Sequence, residues 1–160
     1  MSRKTKSVTI AGMIAALYVI LTMVSTSLGL SSGAIQLRLS EALCILPIFT
    51  PFAIPGLTIG CLISNIMSGC IIWDVIWGSV ATLLGAIGTY LLRKRKFIPV
   101  LPPIIANTII IPLVLKYAYH LDDAILYFVL TIGIGELLSC GVLGSILYNT
   151  MNTVNIKRFL

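Results

Sequence analysis

A succession of long apolar runs is the feature that most constrains the fold of this chain. Of its 160 residues, 58% are hydrophobic and only 10% are charged, and the mean hydropathy is +1.07. A membrane-spanning helix takes about 20 mostly apolar residues, so the chain has room for about six spans once loops are allowed. The runs therefore predict an integral membrane protein built from one compact helical bundle.

Proline, glycine and charged residues set the predicted helix boundaries. The second apolar run contains Pro47 and is followed by Pro51 and Pro55. Because proline removes a backbone donor and kinks or ends a helix, the second span is expected to be short or bent. We predict an all-α bundle of six transmembrane helices that forms a single membrane domain, residues 1–160. The expected helices cover about 8–28, 40–50, 55–68, 73–92, 99–117 and 124–150.

The positive charges predict the topology of the bundle. The chain carries 11 basic and five acidic residues, a formal net charge of +6. Nine of the basic residues lie in three short segments, namely Arg3, Lys4 and Lys6, the run 93–96, and Lys157 with Arg158. Short loops rich in lysine and arginine stay in the cytoplasm, so both termini are expected there, with four spans before the internal run and two after it. This placement favours a topology signal over nucleic-acid binding.

The strongest candidate for a binding residue is Glu136, which lies deep in the last apolar run. A charged side chain in hydrocarbon costs at least about 2.5 to 3.5 kcal/mol, so it needs a partner or a wet cavity. Glu136 is either a ligand for a cationic group or a structural partner for Asn107. Arg38 and Glu41 are three residues apart and can pair on one helix face. With Gln36 they lie where the first loop would cap a cavity that opens to the outside.

Aromatic and amide side chains form a second group of candidates. Trp73 and Trp77 are four residues apart, with Asp74 between them. They belong either to the interfacial aromatic belt or to a stacking platform beside a carboxylate, a combination that suits a flat heterocycle rich in donors. Asn65 and Asn107 carry donors and acceptors that suit recognition of a base edge. Hydrogen bonding between helices explains the two asparagines equally well.

Small residues form a flat face on the first span. Ala11 and Ala15 are four residues apart, as are Gly12 and Ala16, and such spacing lets another helix approach closely. The face either packs within the bundle or receives a partner protein inside the membrane. It lies in the half of the span predicted to be cytoplasmic, which favours a docking role.

Several function classes find no support in the sequence. The chain has no G-x-x-x-x-G-K-[ST] phosphate loop, so any energy from ATP must come from a partner. Its one histidine, His120, lies in a loop without a metal-binding motif, and the four cysteines include no C-x-x-C pair. We expect no catalytic residue, metal or cofactor, and a small intramembrane enzyme is only a remote alternative.

Several spaced motifs occur together in this chain. They are Gln36-x-Arg38-x-Ser40-Glu41-Ala42-Leu43, Gly56-Leu57-x-Ile59-Gly60-Cys61-x-x-x-Asn65, Trp73-Asp74-Val75 with Gly78-Ser79-x-Ala81-Thr82, and Asn107 after Leu101-Pro102-Pro103. In this order they resemble the queuosine-precursor (QueT-type) substrate-binding S components of energy-coupling factor transporters. The resemblance covers nearly the whole chain.

The resemblance implies a six-helix S component in a bacterial cell membrane. It would capture a 7-deazaguanine precursor of queuosine, such as 7-aminomethyl-7-deazaguanine, and would join a transmembrane coupling protein and two cytoplasmic ATPases. Ala11 and Ala15 match the spacing of the alanine motif with which the family contacts the coupling protein. The implied substrate has a donor-rich edge, a flat ring and an ammonium arm, which suit the three carboxylates and two indoles already named. Another vitamin or nucleobase-like solute is the alternative substrate.

Overall fold

Six helical segments make up the computed structural model, which describes residues 3–30, 36–95, 98–119 and 125–154. No strand occurs in these ranges, so the prediction of an all-helical protein is confirmed. The elements are α1 (Arg3–Ser27), a 3-10 helix (Leu39–Ile48), α2 (Ala53–Met67), α3 (Ile72–Leu91), a 3-10 turn (Ile98–Val100) that leads into α4 (Leu101–Tyr117), and a last helix made of α5 (Ile125–Glu136), a π-helical segment (Leu137–Leu143) and α6 (Gly144–Thr153).

Four of these segments are long and apolar enough to cross a membrane. They are Lys4–Ser27, Ile72–Leu91, Ile98–Tyr117 and Ile125–Thr153, while Leu39–Ile48 and Ala53–Met67 are shorter apolar helices. Six crossings and a cytoplasmic position for both termini therefore stay predictions. His120, Asp122, Asp123, Lys96, Lys157 and Arg158 lie outside the described residues.

The 3-10 helix occupies the place of the second predicted span. Its ten residues include Pro47, and most of its side chains are buried. At about 2.0 Å per residue such a helix reaches about 20 Å, less than the hydrocarbon thickness of about 30 Å. The helix packs against α1, α3 and α6.

Two glycines bring α2 close to α1. A Cβ atom at Gly56 would lie 2.7 Å from the carbonyl oxygen of Ala11, and one at Gly60 would lie 2.8 Å from Cβ of Tyr18. Neither position has room for a side chain, so the two backbones touch along a small-xxx-small face. The contact sets Tyr18 beside Cys61 in the main apolar core.

Glycine also joins α3 to α4. A Cβ atom at Gly85 would lie 2.6 Å from Cα of Pro103, and Gly88 packs in the same way against Pro102. Both prolines lie in the first turn of α4, where proline is compatible with a helix because the first backbone donors have no helical partner. These contacts hold α4 against α3 and so fix the position of Asn107.

Candidate functional site

A small polar cavity lies inside the bundle. Its volume is about 20 Å³, and its walls come from the 3-10 helix and the segment before it, and from α2, α3, α4 and α5. It is lined by Gln36, Arg38, Glu41, Cys61, Gly78, Thr82, Asn107, Ile111, Ile132 and Glu136. Five of the nine substrate-binding residues predicted from the sequence are thus brought to one cavity. They come from three separate regions of the chain, so the fold alone assembles them.

Glu41 is held at both of its carboxylate oxygens. The Tyr18 hydroxyl donates to Oε1 at 2.5 Å, and the Cys44 thiol donates to Oε2 at 3.0 Å. The side chain is only 2% exposed. A second pair of side chains fixes the start of the 3-10 helix, because Thr22 Oγ1 donates to Ser40 Oγ at 2.8 Å. The carboxylate therefore has a fixed orientation set by α1 and by its own helix.

Glu136 is held at one oxygen only. The amide of Asn107 donates to Oε1 at 2.9 Å, whereas Oε2 is buried and has no hydrogen-bond partner among the described residues. A buried polar atom without a partner is costly, and such atoms are uncommon in folded proteins. Glu136 is also the last residue of α5 before the π-helical segment, a type of helix often found at functional sites. The free oxygen gives the cavity an acceptor for a donor group.

The first loop places Gln36 and Arg38 at the cavity. The backbone N–H of Arg38 donates to Ser139 Oγ at 3.2 Å. The carbonyl of Gln36 packs directly on Gly135, where any Cβ atom would clash with it. Burial lowers the pKa of the Arg38 guanidinium, but nearby groups including Asp74 and Glu41 raise it by more, so the group keeps its positive charge.

Asp74 lies beside the cavity, next to Gly78. The Tyr119 hydroxyl donates to Asp74 Oδ2 at 3.2 Å and accepts the backbone N–H of Ile71 at 3.3 Å. Burial raises the pKa of Tyr119 to about 12, so the hydroxyl keeps its proton at neutral pH. Asp74 Oδ1 is buried without a partner in the described part of the chain, and it lies 3.7 Å from where a Cβ atom on Gly78 would stand.

Asn65 approaches the same region from α2. Its amide nitrogen lies 3.6 Å from Cys61 Sγ and 2.9 Å from the Cβ position of Gly78. The residue is buried, and both of these neighbours line the cavity. Asn65 and Asp74 therefore stand immediately behind the cavity wall.

The structure does not bring the two tryptophans to this cavity. Trp73 is 55% exposed and Trp77 is 46% exposed. They line a separate apolar groove of about 410 Å³ on the outer surface of α3 and α4, together with Ile110, Leu113, Val114, Tyr117 and Ala118. Asp74 points inward because successive helical residues are turned by about 100°. This arrangement matches the interpretation of the tryptophans as interfacial aromatic residues.

The small-residue face of α1 divides into two. Ala15 is 8% exposed and Ala11 is partly buried, and their backbones contact α2 through Gly60 and Gly56. Gly12 and Ala16 lie on the exposed side, and no atom stands within 4 Å of the Cβ position of Gly12. One stripe thus packs inside the protein, and the neighbouring stripe is exposed on its surface.

Among the residues around the site that the sequence analysis did not single out are Tyr18, Cys61 and Thr82. Tyr18 follows Ala15 by three positions and so lies on the same face of α1. This spacing was the sequence signal that could have identified it. Cys61 gave no signal, since the four cysteines include no C-x-x-C pair, and Thr82 follows Gly78 by one turn. None of the three is unusual in an apolar span, so only the assembled bundle shows their role.

The family model described as QueT transporter matches residues 8–153. A protein of Lactococcus lactis subsp. cremoris (strain MG1363) named "Queuosine precursor transporter QueT" is 44% identical over 82 residues, which are 51% of this chain and 47% of the relative. The chain spans about half the length of this curated relative in that match. No solved structure matches the chain.

Proposed function

Since the chain belongs to the QueT transporter family, we propose that it captures a 7-deazaguanine precursor of queuosine from outside the cell for an ATP-driven importer. As a family member with several apolar helices, it is a multi-pass protein of the cell membrane and a transporter rather than an enzyme. The name of the Lactococcus lactis relative supports the substrate class.

The observation that carries this proposal is the free Oε2 atom of Glu136 in the polar cavity. A 7-deazaguanine offers two adjacent N–H donor groups on its edge, and 7-aminomethyl-7-deazaguanine adds an ammonium group. A carboxylate that pairs with an ammonium group accepts charge-assisted hydrogen bonds, which are stronger than neutral ones. Binding would thus satisfy a buried acceptor that has no partner among the described residues.

The remaining polar residues have complementary roles in this proposal. Both carboxylate oxygens of Glu41 already accept a hydrogen bond, one from Tyr18 and one from Cys44. Glu41 therefore contributes negative charge to the cavity and not a free acceptor atom. Asp74 keeps Oδ1 free just behind Gly78. Arg38 and Gln36 close the cavity from the first loop, and Asn65 and Asn107 complete the set of polar side chains around it.

Substrate entry requires the cavity to widen. Small-molecule pockets measure roughly 300 to 1,000 Å³, whereas this cavity holds about 20 Å³. Displacement of the segment 36–38 would open it, since Gln36 and Arg38 form part of its wall. In this proposal the groove at Trp73 and Trp77 lies apart from the binding cavity, since the two share no lining residue.

The energy for import comes from partners in this proposal. A transmembrane coupling protein would dock on α1 and would connect the chain to two cytoplasmic ATPases. The exposed pair Gly12 and Ala16 provides a flat surface for such docking, next to the pair Ala11 and Ala15 that packs on α2. An S component for another vitamin or nucleobase-like solute is the alternative within the same class.

Calorimetry on the purified full chain tests the substrate. We expect nanomolar to low-micromolar binding of 7-aminomethyl-7-deazaguanine and weaker binding of guanine, which lacks the ammonium arm. Riboflavin, thiamine and biotin should not compete. Absence of heat with every 7-deazaguanine, or competition by one of the vitamins, would contradict the proposed substrate. The alternative, another vitamin or nucleobase-like solute, would then be favoured.

A further inference from the structure

A second cavity lies at the opposite end of the bundle from Asp74. It has a volume of about 300 Å³ and is formed where the end of α3, the start of α4, the 3-10 helix and α6 meet. Arg93 and Arg95 contribute two guanidinium groups to its wall, and Asn149 and Asn152 contribute two amides. It shares no lining residue with the polar cavity around Glu136.

The charge of this cavity is unbalanced. None of the three acidic residues that the structure describes lines it. The Arg93 guanidinium lies over the Tyr90 ring at 3.9 Å and donates through one nitrogen to the Tyr90 carbonyl at 2.9 Å. A guanidinium has five N–H donors, so several remain for a ligand. The site therefore favours an anion with several acceptor oxygens, and phosphate has that chemistry.

Part of the cavity wall is apolar. Ile48 of the 3-10 helix and Val100 before α4 belong to it. Arg93 and Arg95 also follow directly on α3, an apolar helix of membrane-spanning length. Basic pockets between transmembrane helices at a membrane surface bind the head groups of anionic lipids. A free anion in water would gain nothing from the apolar wall, whereas a phospholipid places a phosphate and an acyl chain side by side.

We propose that this cavity binds one anionic phospholipid, with its phosphate held by Arg93, Arg95 and the amides of Asn149 and Asn152, and its glycerol and upper acyl chain against Ile48 and Val100. The bound lipid bridges α3, α4 and α6 at the membrane surface. The inference does not depend on the identity of the transported substrate.

Native mass spectrometry of the full chain in detergent tests the proposal. The protein is mixed with phosphatidylglycerol or phosphatidylcholine of the same acyl chains, and the fraction that retains one lipid is measured. We expect at least a tenfold preference for phosphatidylglycerol, and we expect Arg93→Gln with Arg95→Gln to remove it. Asn149→Leu with Asn152→Leu keeps the net charge and should lower retention several-fold.

A matched control removes the same charge elsewhere. Lys4→Gln with Lys6→Gln lies in another basic cluster and should leave lipid retention unchanged. The proposal is overturned if this control lowers retention as much as the arginine variant, since binding would then follow diffuse charge. It is also overturned if inorganic phosphate displaces the lipid, or if the arginine variant keeps its lipid and loses only assembly with a partner protein. Substrate calorimetry on the same variants should be unchanged, which separates this outcome from the proposed transport function.

Discussion

Asn107 of α4 donates a 2.9 Å hydrogen bond to Oε1 of Glu136, while Oε2 of the same carboxylate is buried and has no partner among the described residues. The two residues are 29 positions apart and come from adjacent helices. One oxygen fixes the side chain and the other stays available. A carboxylate placed in this way is ready to accept a donor from a ligand without first breaking an internal hydrogen bond.

Glu136→Gln should weaken substrate binding by an order of magnitude or more. The amide oxygen can still accept from Asn107, so the protein should fold, but the charge-assisted bond of about 1.5 to 3 kcal/mol is lost. Calorimetry measures the affinity, and thermal unfolding checks the fold. Lys116→Gln, an exposed charge change at the end of α4, is the control and should have no effect. Unchanged affinity in Glu136→Gln would remove this residue from the site.

Asp74→Asn and Tyr119→Phe should affect different properties. Asp74→Asn removes a charge beside the cavity and should weaken binding at least tenfold. Tyr119→Phe leaves the carboxylate in place and removes its hydrogen-bond donor, which should lower the free energy of unfolding by about 1 to 3 kcal/mol. The exposed Tyr117→Phe is the control. Equal effects of Tyr119→Phe and Tyr117→Phe on the melting temperature would contradict the role of the Tyr119 bond.

Much of the fold follows from local sequence signals. Proline at 47, 51 and 55 predicted a short or bent second element, and the structure has a ten-residue 3-10 helix there. Charge and hydropathy indicated six helical segments because the energetic cost of placing charge in hydrocarbon is large. The start of α1 was placed near Val8, whereas the helix begins at Arg3. Helix ends at a membrane surface are weakly constrained by hydropathy, since a polar turn can extend into water.

The site was only partly predictable. A buried carboxylate is conspicuous in an apolar span, so Glu41 and Glu136 could be found from the sequence alone. The hydrogen-bond partners of Glu41, Tyr18 and Cys44, could not, because their side chains are ordinary in such a span and their role depends on which segments meet. Trp73 was predicted to bind substrate because it is next to Asp74 in the sequence. Adjacent residues on a helix point in different directions, and the structure buries Asp74 but leaves Trp73 exposed.

Substitution of the exposed tryptophans should hardly change substrate affinity. Trp73→Leu and Trp77→Leu alter a surface groove that is separate from the polar cavity. Surface substitutions usually change a free energy by no more than about 0.5 kcal/mol, which is roughly a twofold change in affinity. Calorimetry on each variant measures it. A loss comparable with that of Asp74→Asn would mean that an indole reaches the substrate after the cavity widens.

Gly56→Ala should destabilise the protein, whereas Gly12→Ala should not. A Cβ atom at Gly56 would stand 2.7 Å from the backbone of α1, and overpacking of this kind costs about 1 to 3 kcal/mol. Gly12 faces open space on the same pair of helices, and alanine is a better helix former there. Thermal unfolding in one detergent compares the two variants. Equal melting temperatures would show that α1 and α2 are not in close contact.

Ala16→Trp and Ala15→Trp should separate docking from folding. Ala16 is exposed, so its replacement should leave substrate binding intact and abolish uptake by cells that contain the importer partners. Ala15 is buried against α2, so its replacement should lower the melting temperature as well. Uptake assays and calorimetry on both variants measure these effects. Normal uptake with Ala16→Trp would exclude this stripe from the coupling contact.

The π-helical segment Leu137–Leu143 sets the rotation of α6 about the helix axis relative to α5. A π-helix closes its hydrogen bonds from i to i+5, so a turn takes about one residue more than in an α-helix. Glu136 before the segment faces the polar cavity, and Asn149 after it faces the basic cavity at the other end. Removal of one residue from this segment would turn α6 by about 100° relative to α5. The helix would stay continuous, but Glu136 and Asn149 could no longer face their two cavities at the same time.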